Sequence, residues 1–173
     1  MIINAEIINL PYSGEYIERI YDNENAWNSL SWSFVKFTNE DYSEWCGHFR
    51  GAGGKVAIST KYNLVLVVTS DYLFQLDSMA GDVIELESND DYRSLTVSPD
   101  GSFILANYYV IGKVITHLRD IEFIQSPIEM DFIEFKKWCN EKLEFTCDEF
   151  TNWNRHLTMI YDCKANRIEI KNG

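Results

Sequence analysis

The sequence predicts a mainly β fold built from antiparallel hairpin repeats, either a curved sheet or a partial ring of sheets, and ending in one C-terminal helix. Three observations lead there. First, Val56-Ala57-Ile58-Ser59, a polar turn over Thr60 to Asn63, and Leu64-Val65-Leu66-Val67-Val68-Thr69 are echoed downstream. The echo is Leu95-Thr96-Val97-Ser98, a turn at Pro99-Asp100-Gly101-Ser102, and Phe103-Ile104-Leu105-Ala106-Asn107. Ser59 and Ser98 lie 39 positions apart, close to the period of roughly 40 residues of four-stranded repeat units. Second, short apolar runs bounded by turn residues recur along the chain, the signature of strands and hairpins. Third, the segment after Ser126 has the form of a helix start.

Taken in order, Ile2 to Leu10 reads as a strand halted by Pro11. Tyr16, Ile17, Ile20 and Tyr21 fall at spacings that suit one face of a short helix or turn. Asp22-Asn23-Glu24-Asn25 marks a loop. Trp32 to Phe37 alternates as a strand, Thr38 to Ser43 forms a turn, and Glu44 to Arg50 is its hairpin partner. Gly51-Ala52-Gly53-Gly54 then closes the unit. These glycines do not form a phosphate loop, because Lys55 leads into the strand Val56-Ala57-Ile58 where a phosphate site needs a helix.

Beyond the first repeat, Tyr72 to Asp77 and Val83 to Leu86 read as strands around a turn at Ser78 to Asp82. Leu64 to Val68 is apolar without alternation, which predicts a strand covered on both faces. Pro99-Asp100-Gly101 is a turn signal, since proline presets φ and glycine accepts a positive one. Strands are expected at Phe103 to Tyr109 and Lys113 to Leu118, with Gly112 between them. Ser126-Pro127-Ile128-Glu129 combines an N-cap serine, a proline at the first helical position and an acid three residues after the cap. Ile128, Phe132, Phe135 and Cys139 continue it as a helical stripe, giving a helix from Pro127 to Lys142. Leu157 to Asp162 and Arg167 to Ile170 make a closing hairpin.

The chain has 173 residues, of which 46% are hydrophobic and 14% aromatic, enough for one sizeable core and a single domain over 1–173. No apolar run approaches the roughly 20 residues that span a bilayer. Met1 to Glu6 lacks the charge and apolar block of a secretion signal, so a cytoplasmic location is expected. The formal charge of −12 repels nucleic acid phosphates and anionic membranes, and either favours a basic partner or serves solubility alone. Cys46, Cys139, Cys147 and Cys163 include no C-x-x-C pair, and read as reduced cysteines rather than a zinc or redox site.

The segment Leu95 to Ala106 resembles the inner hairpin of a WD-type β-propeller blade. Val56 to Leu76 resembles a degenerate copy that ends in Tyr72-Leu73-Phe74-Gln75-Leu76-Asp77. The resemblance covers about two blades, Val56 to Ile124. Four blades are the minimum for a closed propeller, so it implies a partial propeller or a curved sheet. The whole chain is also similar to the small acidic immunity proteins of bacterial toxin systems, including contact-dependent growth inhibition. This likeness rests on Phe37 through Trp45-Cys46-Gly47-His48-Phe49-Arg50-Gly51, on Thr69-Ser70-Asp71-Tyr72-Leu73, on the acidic balance and on size.

That likeness implies a protein that binds and neutralises a basic toxin domain, with a nuclease as the expected class. The alternative is a propeller-like interaction scaffold without a toxin partner, and a third reading is a hydrolase or sugar-binding protein whose aromatics line a groove. Catalysis is not expected. His48 beside Cys46, His117 in a strand pattern, and His156 with Asp148, Glu149 and Cys147 match no catalytic or metal spacing, and no cofactor motif is present. The candidate partner contacts are Asp71, Tyr72, Asp90, Asp91, Tyr92, Tyr108 and Tyr109. Carboxylates there would complement a basic surface, and exposed tyrosines are favoured at interfaces.

Overall fold

A computed structural model describes residues 1–23 and 27–171. The loop expected over Asp22 to Asn25 therefore lies outside the described residues at positions 24 and 25. The described residues form sixteen strands in four open four-stranded sheets, and none of the sheets closes into a barrel. The chain divides into two compact units, 1–89 and 90–173.

The first unit holds β1 (Ile2–Ile8), β2 (Ile17–Tyr21), β3 (Trp32–Asn39) and β4 (Glu44–Arg50) in the order β1-β3-β4-β2. Its second sheet is the meander β5 (Lys55–Ser59), β6 (Leu64–Val68), β7 (Tyr72–Asp77) and β8 (Val83–Ser88). Alternation sends Val35, Phe37, Trp45 and Phe49 to one core with Val65, Val67, Tyr72, Phe74 and Leu76. Every residue of β6 is buried, as its unbroken apolar run predicts.

The short helix or turn expected over Tyr16 to Tyr21 is instead strand β2, which pairs in parallel with β4. Its apolar residues share no buried face, because Ile17 and Ile20 are exposed and Tyr21 alone of the strand is buried. Tyr21 stacks on Phe49 with centroids 4.4 Å apart, and its hydroxyl donates to the Gly81 carbonyl at 2.7 Å. Tertiary contacts thus decide the conformation where local spacing gives a helical pattern.

The second unit holds two meanders. One contains β9 (Ser94–Val97), β10 (Phe103–Ala106), β11 (Ile111–Val114) and β12 (Glu122–Ile124). The other contains β13 (Met130–Cys139), β14 (Lys142–Glu149), β15 (Asn152–Asp162) and β16 (Arg167–Ile170). Ile104, Ile111 and Ile124 share a core with Met130, Ile133, Phe145, Met159 and Tyr161.

The expected C-terminal helix is absent: Pro127 to Lys142 contributes β13. Two register irregularities interrupt its pairing with β14, between Asp131 and Glu134 and between Phe135 and Lys137. Each bulge adds a residue, so the inward-facing Met130, Ile133, Phe135 and Trp138 fall at uneven spacings of two and three. Such spacing imitates a helical stripe, although Phe132 and Cys139 of the expected stripe are exposed.

Strand limits near Gly112 also shift. Gly112 lies inside β11, not between strands, and a Cβ there would sit 2.6 Å from Ile121 Cγ2. The turn comes earlier, at Asn107, whose side-chain oxygen accepts from the backbone N–H of Tyr109 and Val110 at 2.9 and 3.0 Å. This Asx turn ends β10 at Ala106 and lifts Tyr108 and Tyr109 out of the sheet. β11 ends at Val114, short of the strand expected to Leu118, and a 3-10 turn follows at Leu118–Asp120.

Candidate partner-binding site

The turn at Asn107 starts a line of aromatic rings on the second unit. Tyr108 contacts Tyr109 (centroids 6.2 Å apart) and Phe132 (5.1 Å), and Tyr109 contacts Phe150 (6.0 Å). All three contacts are edge-to-face, the arrangement favoured by ring quadrupoles. Tyr109, Phe132 and Phe150 are 52%, 56% and 41% exposed. A contiguous set of exposed rings is unusual on a free surface and typical of an interface.

Two features hold this ridge in place. Arg93 lies 4.3 Å above the Tyr108 ring and donates from Nη1 to the Tyr108 hydroxyl at 2.6 Å. Its Nε and Nη2 donate to Asp91 Oδ1 at 3.2 and 2.9 Å. Phe132 has φ of 51°, a left-handed conformation that is costly for a bulky side chain. Its N–H donates to Asp131 Oδ1 at 2.9 Å. The first bulge of β13 puts Ile133 into the core and turns Phe132 outward.

A cleft of about 500 Å³ adjoins the ridge, lined by Tyr109, Val110, Ile124, Ile128, Met130 and Phe150, with Ser126 and Glu129 on its polar side. Its size and apolar walls suit an inserted side chain or a small ligand. A second cleft, about 360 Å³, is lined by Phe132, Glu134, Thr146, Cys147, Asp148, His156, Leu157 and Thr158. His156 and Asp148 are cross-strand partners with Nδ1 and Oδ1 2.5 Å apart.

The sequence-predicted contacts separate into three groups. Asp91, Tyr108 and Tyr109 come together around Arg93 and the ridge, and Asp90 is exposed on the same unit. Tyr92 is buried, and burial pushes its hydroxyl pKa up. Asp71 and Tyr72 belong to the first unit and hold local structure there. Tyr72 packs edge-on against Phe74 at 5.7 Å and bonds to Asn28. Asp71 accepts from Ser29 N–H at 2.8 Å and from Ser70 Oγ at 2.6 Å. Burial alone would raise the Asp71 carboxyl, but these bonds and Arg50 hold it below the usual range.

Sequence reading missed Arg93, Phe132 and Phe150. Arg93 lies two residues from Asp91, a spacing that could have signalled the pair. Nothing local marks Phe132, because its exposure depends on a bulge. Among possible nucleophiles, Cys46 and Cys147 are buried, and burial pushes both thiols up to about 11, which disfavours a reactive thiolate at neutral pH. Among the described residues, no three His, Cys, Asp or Glu side chains converge as a metal site. No described helix is long and apolar enough to cross a membrane.

No family model and no curated protein matches this sequence. Among solved structures, the chain is similar to hydrazine synthase of Kuenenia stuttgartiensis, with a TM-score of 0.52 and 15% sequence identity. The match covers 81% of this chain and 45% of that chain, so the present chain corresponds to less than half of its neighbour. At that identity the likeness concerns the fold.

Proposed function

We propose that this chain is a non-catalytic immunity protein that binds and neutralises a cognate antibacterial toxin domain in the cytoplasm, with a basic nuclease as the expected toxin. The observation that carries the reading is the exposed aromatic ridge Tyr108-Tyr109-Phe132-Phe150 beside an apolar cleft, on a chain of net charge −12. Tyrosine and other rings anchored next to a pocket are the usual energetic centre of a protein interface. The acidic surface would steer a basic partner toward it, and bound protein would occlude the toxin's active site or substrate path. Three successive four-stranded meanders support reading the sheets as blade-like units of a partial propeller.

The second reading is an interaction scaffold of the same blade-like build, favoured by the same ridge but needing no toxin. One experiment separates them. The tagged chain is used to capture its partner, the partner is identified, and its toxicity is assayed with and without the chain. Immunity predicts loss of toxicity on binding, and at least about tenfold weaker binding by the Tyr109→Ala/Phe150→Ala double variant. A partner with no toxic activity would establish the scaffold reading instead.

A further inference from the structure

The second cleft shares Phe132 with the aromatic ridge, but its case needs no toxin. Its floor is the outward face of β13, β14 and β15. Cross-strand pairing fixes two rows there: Glu134, Thr146 and Thr158 in one, Asp148 and His156 in the next. Phe132 forms one wall of the same cleft.

The charged groups of the cleft are each held by a neighbour. Glu134 is paired with Lys136 at 2.6 Å, and Asp148 meets His156 Nδ1 at 2.5 Å. The Nδ1 of His156 is engaged by Asp148, which orients the ring and leaves Nε2 as a further hydrogen-bonding group in the cleft. Two threonine hydroxyls add groups that both donate and accept. Each carboxylate of the cleft thus already has a hydrogen-bonding or ion-pair neighbour, and a ligand there need not be cationic. The cleft offers several oriented hydrogen-bonding groups beside one exposed aromatic ring. The backbone holds that ring outward at φ of 51°, a conformation that persists at functional sites when the surrounding structure imposes it.

We infer that this cleft is a carbohydrate subsite for a neutral pyranose of gluco configuration, with Phe132 as the stacking platform. In such a sugar the hydroxyls are equatorial, so each ring face presents only C–H groups. One face packs on the aromatic ring while the rim of hydroxyls meets Thr146, Thr158, Asp148, His156 and Glu134. A cleft of about 360 Å³ lies within the range of small-molecule sites. No covalent step is involved.

The test titrates the isotopically labelled full chain with cellotriose, a neutral β-linked glucose trisaccharide, and follows chemical shifts by NMR. L-arginine serves as the control for a cationic ligand. The inference predicts saturable shifts at Thr146, Thr158, His156 and the Phe132 ring with cellotriose, and none with arginine. Phe132→Asn, which suits the left-handed backbone and so retains the fold, should weaken cellotriose binding at least about tenfold. Thr146→Val/Thr158→Val should also weaken it, with the melting temperature reporting that both variants stay folded. No saturable response to cellotriose would overturn the inference, as would equal binding by Phe132→Asn. Shifts with arginine alone would assign the cleft to a cationic side chain of a protein partner.

Discussion

Lys113 Nζ lies 2.9 Å from Asp100 Oδ2, joining β11 to the turn between β9 and β10. The same carboxylate accepts from the Ser98 hydroxyl and, at 3.0 Å, from the Ser102 N–H. Ser98 in turn closes the hairpin, its N–H donating to the Ser102 carbonyl at 2.9 Å. The Ser-Pro-Asp-Gly-Ser motif is therefore a hydrogen-bonded unit organised around one carboxylate.

Asp100 should set part of the acid sensitivity of the second unit. Burial pushes its carboxyl up, but bonds from Ser98, Lys113 and Ser102 outweigh this and hold it well below the usual aspartate range. Its folded pKa is thus depressed. The stability it contributes is complete above the ordinary aspartate value near 3.9, and is lost as pH falls from there toward the folded value. Asp100→Ala should destabilise the fold by about 2 kcal/mol at pH 7 and by less at pH 3. Urea unfolding at the two pH values checks this; an equal loss at both would contradict it.

Cysteine labelling should be selective. Cys139 is exposed, whereas Cys46, Cys147 and Cys163 are buried, and burial pushes all three buried thiols up. Iodoacetamide on the native protein should modify Cys139 alone, with all four reacting after denaturation. Mass mapping of the alkylated peptides reads the outcome directly, and rapid labelling of Cys46 would place it outside the core.

Gly51 cannot take a side chain at no cost. Its φ is 105°, and a Cβ would lie 2.5 Å from Thr69 Oγ1 and 2.9 Å from the Asp71 amide nitrogen. Thr69 cannot simply move aside, because its hydroxyl donates to the Arg50 carbonyl at 2.6 Å. Gly51→Ala should cost at least about 2 kcal/mol, visible as a lower midpoint in urea. An unchanged midpoint would show that this turn relaxes freely.

Phe132 should show stability opposed to binding. Replacing it by asparagine, which tolerates positive φ, should raise stability by roughly 1 kcal/mol. Calorimetry on Phe132→Asn tests this, and a lower melting temperature would mean that the exposed ring contributes more to packing than its backbone costs.

Much of the β architecture was legible because it follows from local chemistry. The hairpin of β3 and β4 shows as alternation around a polar turn, and β6 as an apolar run buried on both faces. The Pro99-Asp100-Gly101 turn was equally plain. Two segments misled for identifiable reasons. Bulges gave β13 a helical spacing, and parallel pairing with β4 drew a helical-looking segment into β2. Of the predicted contacts, Asp91, Tyr108 and Tyr109 fall in one cluster because they flank β9 and β10. Tyr72 and Tyr92 illustrate the limit: a tyrosine beside a turn reads the same whether its ring points out or into the core.

The sequence by itself determined the hairpins, their turns, the apolar strand cores and the acidic charge, because alternation, turn chemistry and composition act over a few residues or over the whole chain. Tertiary structure decided that Pro127 to Lys142 is a bulged strand, that Phe132 faces outward, and that Arg93 gathers Asp91 and Tyr108. Each of these depends on a partner strand or on a contact between turns, where pairing and close packing outweigh the local preference of the segment.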